Sequence, residues 1–260
     1  MKTRTIYSLV ALCAIASLMI SACAMPGAMP TPTNAPTLTA TSTATSTRTA
    51  TATITSTPTQ TPKPTSTPNA TATQRADDFL AKVQEYDDAG YISTTEGTYV
   101  YLADYSDAWA EINYYIWKPI SFSPDNFIIS SNIHWDSASS AADTSGCGFV
   151  FRIQDNKDHY MMYVSLKGYV EMAATISREW NPLGKGTFGQ PARSGEAQLT
   201  LIAEGNKFRV LIDDRLIKTY TGFDGKLTSG DLAYTVLSGT NKSYGTSCKF
   251  DDVELWMIGE

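Results

Sequence analysis

The residues best suited to chemistry lie in the middle of the chain: Asn132, His134, Arg152, His159, Tyr163, Tyr169 and Glu171, followed by Trp180. The first seven sit in runs where apolar and polar residues alternate, so a strand reading places them together on the outer face of one sheet. Trp180 falls on a long segment from about 177 to 196, read as a loop. Such a mixture suits a sugar, because aromatic faces stack on the apolar side of a pyranose ring while Arg, Asn, His and Glu give directional hydrogen bonds to hydroxyls. The same residues also read as an ordinary solvated sheet face with Trp180 folded over the edge of the core. General acid–base work would need Glu171 with His159 or His134, and no spacing fixes such a pair.

Two further sets concern stability. Glu96, just before the first strand, and Asp251 and Asp252 in the last could share a calcium ion if the two ends of the domain adjoin, since hard cations take several oxygens. The alternative is that Asp251 and Asp252 are solvated bulge residues. No other cofactor is required. Cys147 and Cys248 form an even pair and predict a disulfide in an exported chain. Zinc is disfavoured, because only His134 and His159 are present and no CxxC spacing exists.

The elements that must position these groups follow from periodicity. Residues 75–92 predict a short amphipathic helix, with Phe79, Leu80, Val83 and Tyr86 on one face, Asp77 and Asp78 in its first turn, and Gly90 as its stop. From residue 93 to 260 the period changes to two, and eleven short strands bounded by Gly, Asn, Asp and Ser predict an all-β, antiparallel two-sheet sandwich. Glu204-Gly205-Asn206 and Asp213-Asp214 are hairpin turns by composition. In 146–154, Cys147, Phe149, Phe151 and Ile153 share one parity and Val150, Arg152 and Gln154 the other. In the last strand the apolar parity slips at Asp251-Asp252, which predicts a β-bulge keeping both halves on the core. Trp135 shares parity with Ile129 and Ile133 and reads as core.

The N-terminal 73 residues carry an address. Lys2 and Arg4 precede an apolar run from Ile6 to Ile20, too short to be read as a spanning helix, and small residues follow; this predicts a signal peptide over 1–22. Ile20-Ser21-Ala22-Cys23 resembles the lipobox of bacterial lipoproteins, which implies lipidation at Cys23, a membrane anchor and a location facing the exterior. Ala24, where an aspartate would be the retention cue, implies no hold at the inner membrane. Residues 23–74 read as a disordered linker: 19 threonines fall between 31 and 73 with Pro, Ala and Ser among them, too little apolar area to offset the entropy of ordering. About 45 such residues span ~40 Å as a flexible coil and ~140 Å as extended polyproline. The formal net charge is −6, more negative once Lys2 and Arg4 are removed, and the arginines are scattered. That composition excludes a nucleic-acid partner. By length, residues 75–260 make one domain, expected to be monomeric.

Four stretches carry a family resemblance: Gly146-Cys147-Gly148-Phe149-Val150-Phe151-Arg152, His159-Tyr160-Met161-Met162-Tyr163-Val164 with Gly168-Tyr169, the hairpin from Leu199 to Lys218, and Cys248-Lys249-Phe250-Asp251-Asp252-Val253-Glu254-Leu255. They resemble the concanavalin A-like lectin/glucanase jelly roll, and the chain is similar to the bacterial 3-keto-disaccharide hydrolase domain family. The resemblance implies a jelly-roll fold over about 95–258. It also implies a structural calcium of the kind proposed above. It does not carry the laminarinase-type mechanism, which places two glutamates around an aspartate on one strand face for retaining hydrolysis; this sequence has no such stretch. The leading expectation is a surface lipoprotein that binds glycans without turning them over. A glycan-processing hydrolase or lyase is the alternative, and a structural or protein-binding envelope module the third.

Overall fold

The computed structural model describes residues 70–139, 144–223 and 225–260. The signal segment, Cys23 and the tether up to residue 69 lie outside the described residues. In chain order the elements are α1 (Ala70–Asp88), β1 (Gly97–Leu102), β2 (Tyr105–Trp109), β3 (Tyr114–Ile120), β4 (Phe127–Ser137), β5 (Gly146–Ile153), β6 (His159–Ser165), β7 (Tyr169–Ile176), β8 (Glu179–Thr187), β9 (Ser194–Glu204), β10 (Lys207–Ile212), β11 (Arg215–Thr221), β12 (Asp231–Ser238) and β13 (Thr246–Ile258). They form an antiparallel two-sheet jelly-roll sandwich. One sheet runs β1-β13-β4-β9-β10-β11, with β2 pairing the other half of β13, and the second runs β3-β12-β5-β6-β7-β8.

The core is the sum of the inward parities. Phe149, Phe151, Tyr160, Met162, Val164, Val170, Met172 and Val236 from the second sheet pack on Phe127, Ile129, Ile133, Leu199, Leu201, Phe208, Phe250 and Leu255 from the first. Trp135 belongs to this core, as its parity predicts. Each such side chain contributes roughly 1.5–3 kcal/mol by leaving water. The bulge in β13 is present: register shifts between Asp251 and Glu254, and Asp252 takes φ 47°. The extra residue returns Val253 and Leu255 to the side already held by Cys248 and Phe250, and all four are buried. The hairpin turns at Gly205 and at Asp213-Asp214 lie in the left-handed region their residue types favour.

Two strands were not legible. Alternation predicts one strand over 110–117; the structure places β3 at Tyr114–Ile120 and an additional strand, β2, at Tyr105–Trp109, before a turn in which Asn113 has φ 61°. The segment 177–196 is largely strand, with a connection only over 188–193: Ser177 and Arg178, both at positive φ, close a tight hairpin, and β8 pairs with β7 from Ile176↔Glu179 to Tyr169↔Thr187. Pro182, Gly184 and Gly186 hide the strand in the sequence, and they are tolerated because β8 is an edge.

The helix starts at Ala70, inside the stretch read as linker, so Asp77 and Asp78 lie beyond its first turn, which holds no acidic residue. Phe79, Val83 and Tyr86 pack on Ile128, Ile202, Leu211 and Trp256, on the outer face of the first sheet. Leu80, expected on that face, is 44% exposed. Gly90, at φ 68°, ends the helix in a Schellman arrangement: the Tyr91 amide donates to the Tyr86 carbonyl at 2.8 Å and the Gly90 amide to the Asp87 carbonyl at 2.8 Å.

The predicted disulfide is formed, between Cys147 of β5 and Cys248 of β13, 101 residues apart. It joins the two sheets face to face. Closing a loop of this length restricts the unfolded chain by about 4–5 kcal/mol in the loop-entropy account, and loss of native disulfides costs about 2–5 kcal/mol. The double variant Cys147→Ala/Cys248→Ala is therefore expected to lose about that much unfolding free energy in urea titration; an unchanged midpoint would refute the stapling role.

Candidate functional site

The eight residues grouped by the sequence do not share a face. Asn132 and His134 lie on β4, on the part of the first sheet's outer surface that α1 leaves open. There His134 faces a carboxylate on each side, with Nδ1 3.2 Å from Glu196 and Nε2 3.3 Å from Asp251. Lys249 Nζ lies 2.7 Å from Asp251. Asn132, His134, Glu196, Gln198 and Asp213 border a cleft of about 470 Å³, polar and without a Phe, Tyr or Trp in its lining.

Arg152 is on neither outer face. Its φ of 53° reverses the parity after Phe151, so Ile153 turns outward to pack with Val150 and Met161, and the arginine turns into the end of the core at 2% exposure. Its guanidinium donates to the Leu227 carbonyl at 3.1 Å and the Asp125 carbonyl at 2.8 Å and lies 5.2 Å from the Phe208 ring centre. Burial lowers its pKa, and the cation serves to tie down two loops.

The remaining five residues do converge, on the outer face of the second sheet. Across its six strands one row reads Trp117, Thr235, Gly148, Tyr163, Glu171, Lys185. On a flat sheet the edges β3 and β8 would lie about 24 Å apart, five steps of about 4.8 Å. Yet the rings of Tyr115 on β3 and Trp180 on β8 come within 6.3 Å, so the sheet curls toward this face and its side chains lie across it. Glycine in the floor permits this: a Cβ at Gly146 would meet the Tyr163 ring at 2.7 Å.

The wall so formed holds Tyr115, Trp117, Tyr163 and Trp180, with His159 beneath. His159 Nδ1 donates to the Lys157 carbonyl at 2.7 Å, since a carbonyl can only accept, and Nε2 accepts the Tyr115 hydroxyl at 2.9 Å. The Trp117 ring stands edge-on to the imidazole at 4.8 Å. A histidine expected to meet ligand is thus the peg that sets two aromatic rings. The Tyr163 hydroxyl donates to Glu171 Oε2 at 3.2 Å. Burial first and the adjacent carboxylate second push the Tyr163 pKa up, which makes the phenol a hydrogen-bond donor and a poor base. Tyr169 sits on the rim beneath Lys185, whose Nζ is 4.4 Å from its ring centre.

Two hollows flank Trp180. One, about 430 Å³, is bordered by Asn113, Tyr114, Tyr115, Thr144 and Leu237, and the other, about 280 Å³, by Met172, Ala173, Pro182, Gly184 and Lys185; Tyr163, Glu171 and Trp180 border both. Trp180 is 47% and Tyr114 61% exposed, so apolar rings meet solvent beside a half-buried carboxylate. Tyr114, Tyr115, Trp117 and Lys185 were missed. The strand over 114–120 was displaced in the sequence reading and β8 was read as loop, so their facing was not available; the Tyr-Tyr-Ile-Trp run was the signal.

The calcium set does not assemble. Glu96 lies beside Gly259, whose amide donates to its carbonyl, while Leu102 at the other end of β1 pairs with Val253. The length of the strand, about 20 Å, separates Glu96 from Asp251 and Asp252. Asp252 is held by the Tyr101 hydroxyl and Asn132, Asp251 by Lys249 and His134, and among the described residues no three His, Cys, Asp or Glu side chains gather as a metal site would require.

No protein-family model matches the chain, and no curated protein matches it. Among solved structures it is similar to a carbohydrate-binding module, CBM66, from Bacillus subtilis, at 17% identity over 61% of this chain and 91% of the other, with a TM-score of 0.44. It is also similar to sheep galectin-11 in complex with glycerol (12%, covering 56% and 98%, TM-score 0.36) and to the Emp47p carbohydrate recognition domain (12%, covering 59% and 88%, TM-score 0.43).

Because burial holds the His159 pKa below its ordinary 6.5, with Asp158 and the Lys157 carbonyl opposing, the folded state prefers the neutral ring. Its stabilising contribution is complete above that ordinary value and is lost as pH falls through the lowered one. Unfolding free energy measured from pH 7 downward is expected to drop more steeply in the wild type than in His159→Gln; parallel curves would contradict the assignment.

Proposed function

We propose that this chain is an exported, lipid-anchored surface protein whose sandwich binds glycans on the outer face of the second sheet without turning them over. The observation that carries the reading is the groove itself, where Trp180, Tyr114 and Tyr115 expose ring surface on either side of Glu171. Aromatic faces take the C–H side of a sugar ring, and a carboxylate with one oxygen held by Tyr163 accepts hydroxyl hydrogen bonds with the other. Asn132 and His134 lie outside this site, and Arg152 is structural.

Binding is favoured over processing for a chemical reason. Glycoside hydrolysis by the common routes needs two carboxyl groups, ~5–5.5 Å apart for retention or ~6.5–9.5 Å for inversion. Glu171 is the only carboxylate bordering the groove among the described residues, and Tyr163 is set to donate. A lyase or hydrolase acting on a modified disaccharide remains the alternative outcome of the test below.

On a glycan array, with product analysis of every hit, Trp180→Ala is expected to lose retention by tenfold or more while Asn132→Ala and His134→Ala retain wild-type binding. Retention unaffected by Trp180→Ala would remove this groove, and released product would replace the binding reading with the enzymatic one. For the anchor, the Ser21-Ala22-Cys23 sequence is the support: metabolic palmitate labelling is expected in the wild type and lost in Cys23→Ser, and equal labelling of both would sink the lipid assignment.

A further inference from the structure

We infer that the groove takes an oligosaccharide of at least two rings seated on either side of Trp180, with an uncharged ring in the hollow next to β3; this rests on the glycan-binding reading. Trp180 rises between two hollows of about 430 and 280 Å³. Each alone is at or near the small end of the ~300–1,000 Å³ typical of ligand pockets. A single ring would fill one and leave the other, with its apolar wall, in water. Two linked rings would cover both walls and both faces of the indole edge.

Glu171 borders both hollows and is central to the choice of ligand. Its Oε2 is held by Tyr163, and Oε1 has no hydrogen-bond partner among the described residues. A carboxylate that borders two sugar-sized spaces and keeps an oxygen for further bonds can accept hydroxyls from adjacent rings. The β3-side hollow is bordered by Asn113, Thr144 and Tyr114 and, among the described residues, by no Lys or Arg. A uronate or sulfated ring there would face Glu171 without a compensating cation, at a cost that grows as the groove excludes water. The β8-side hollow differs, since Lys185 borders it and tolerates a polar or acidic substituent.

The test is isothermal titration of the full mature chain in detergent. The probes are glucose, galactose, xylose, N-acetylglucosamine and fructose oligomers of one to six units, beside uronic-acid oligomers of equal lengths. For the sugar that binds, affinity is expected to rise at least tenfold from one unit to two, and the matching uronic oligomers to bind at least tenfold more weakly. Lys185→Ala should weaken the two-unit ligand several-fold and leave the one-unit ligand unchanged, while Trp180→Ala weakens both. Both are surface positions, and an unchanged melting temperature verifies the fold. A one-unit ligand as tight as its two-unit form, or uronic oligomers as tight as neutral ones, would overturn the inference and leave glycan binding standing. Failure of every probe would overturn both.

Discussion

The contact of β5 with β13 across the sandwich is the constraint on which the rest depends. The two strands lie in different sheets, and their facing residues are joined by the Cys147–Cys248 bond and by an aromatic cluster. Phe149 stands 5.6 Å from Phe250, and Tyr234 lies 6.0 and 5.0 Å from the two. Close packing of this kind leaves no freedom for one sheet to slide on the other without opening a cavity. The bulge at Asp252 belongs to the same device, since it keeps a thirteen-residue strand facing inward along both halves while the strand bends between its two edge partners, β1 and β2.

With the inner faces committed, the two outer faces are free to differ, and they do. On the first sheet, Ile128, Ile202, Leu211 and Trp256 need covering, and α1 supplies the cover with Phe79, Val83 and Tyr86. Arg209 then reaches the helix end, donating to the carbonyls of Tyr91 and Gly90, where a cation complements the helix dipole. Among the described residues the second sheet has no such cover. Its aromatics shield one another instead, in a curled face organised by His159, and this leaves ring surface beside Glu171 where a ligand can reach it.

Legibility in the sequence followed the range of the interaction. Alternation over five to ten residues is local, so the core parities of β4 and β13, the bulge, the hairpin at Gly205 and the cysteine pairing were all readable. Arg152 was misread because a single left-handed residue inverts a parity, and nothing in its neighbours announces that conformation. Trp180 was recognised as a candidate but misplaced, because Pro182, Gly184 and Gly186 suppress the strand signal of β8. Leu80 failed for a different reason: helical spacing alone does not say how wide a stripe the sheet beneath can accept.

The sequence by itself determined the sandwich class, the cysteine pair, the helix and the residue types available for a ligand, because each rests on local periodicity or on composition. The tertiary structure decided which of those residues meet. Tyr115 and Trp180 are 65 residues apart and on opposite edges of a six-stranded sheet, and Asn132 and Tyr163 share a parity pattern yet lie on opposite sides of the molecule. Sheet membership and sheet curvature arise from pairing between distant strands, so no window of sequence contains them.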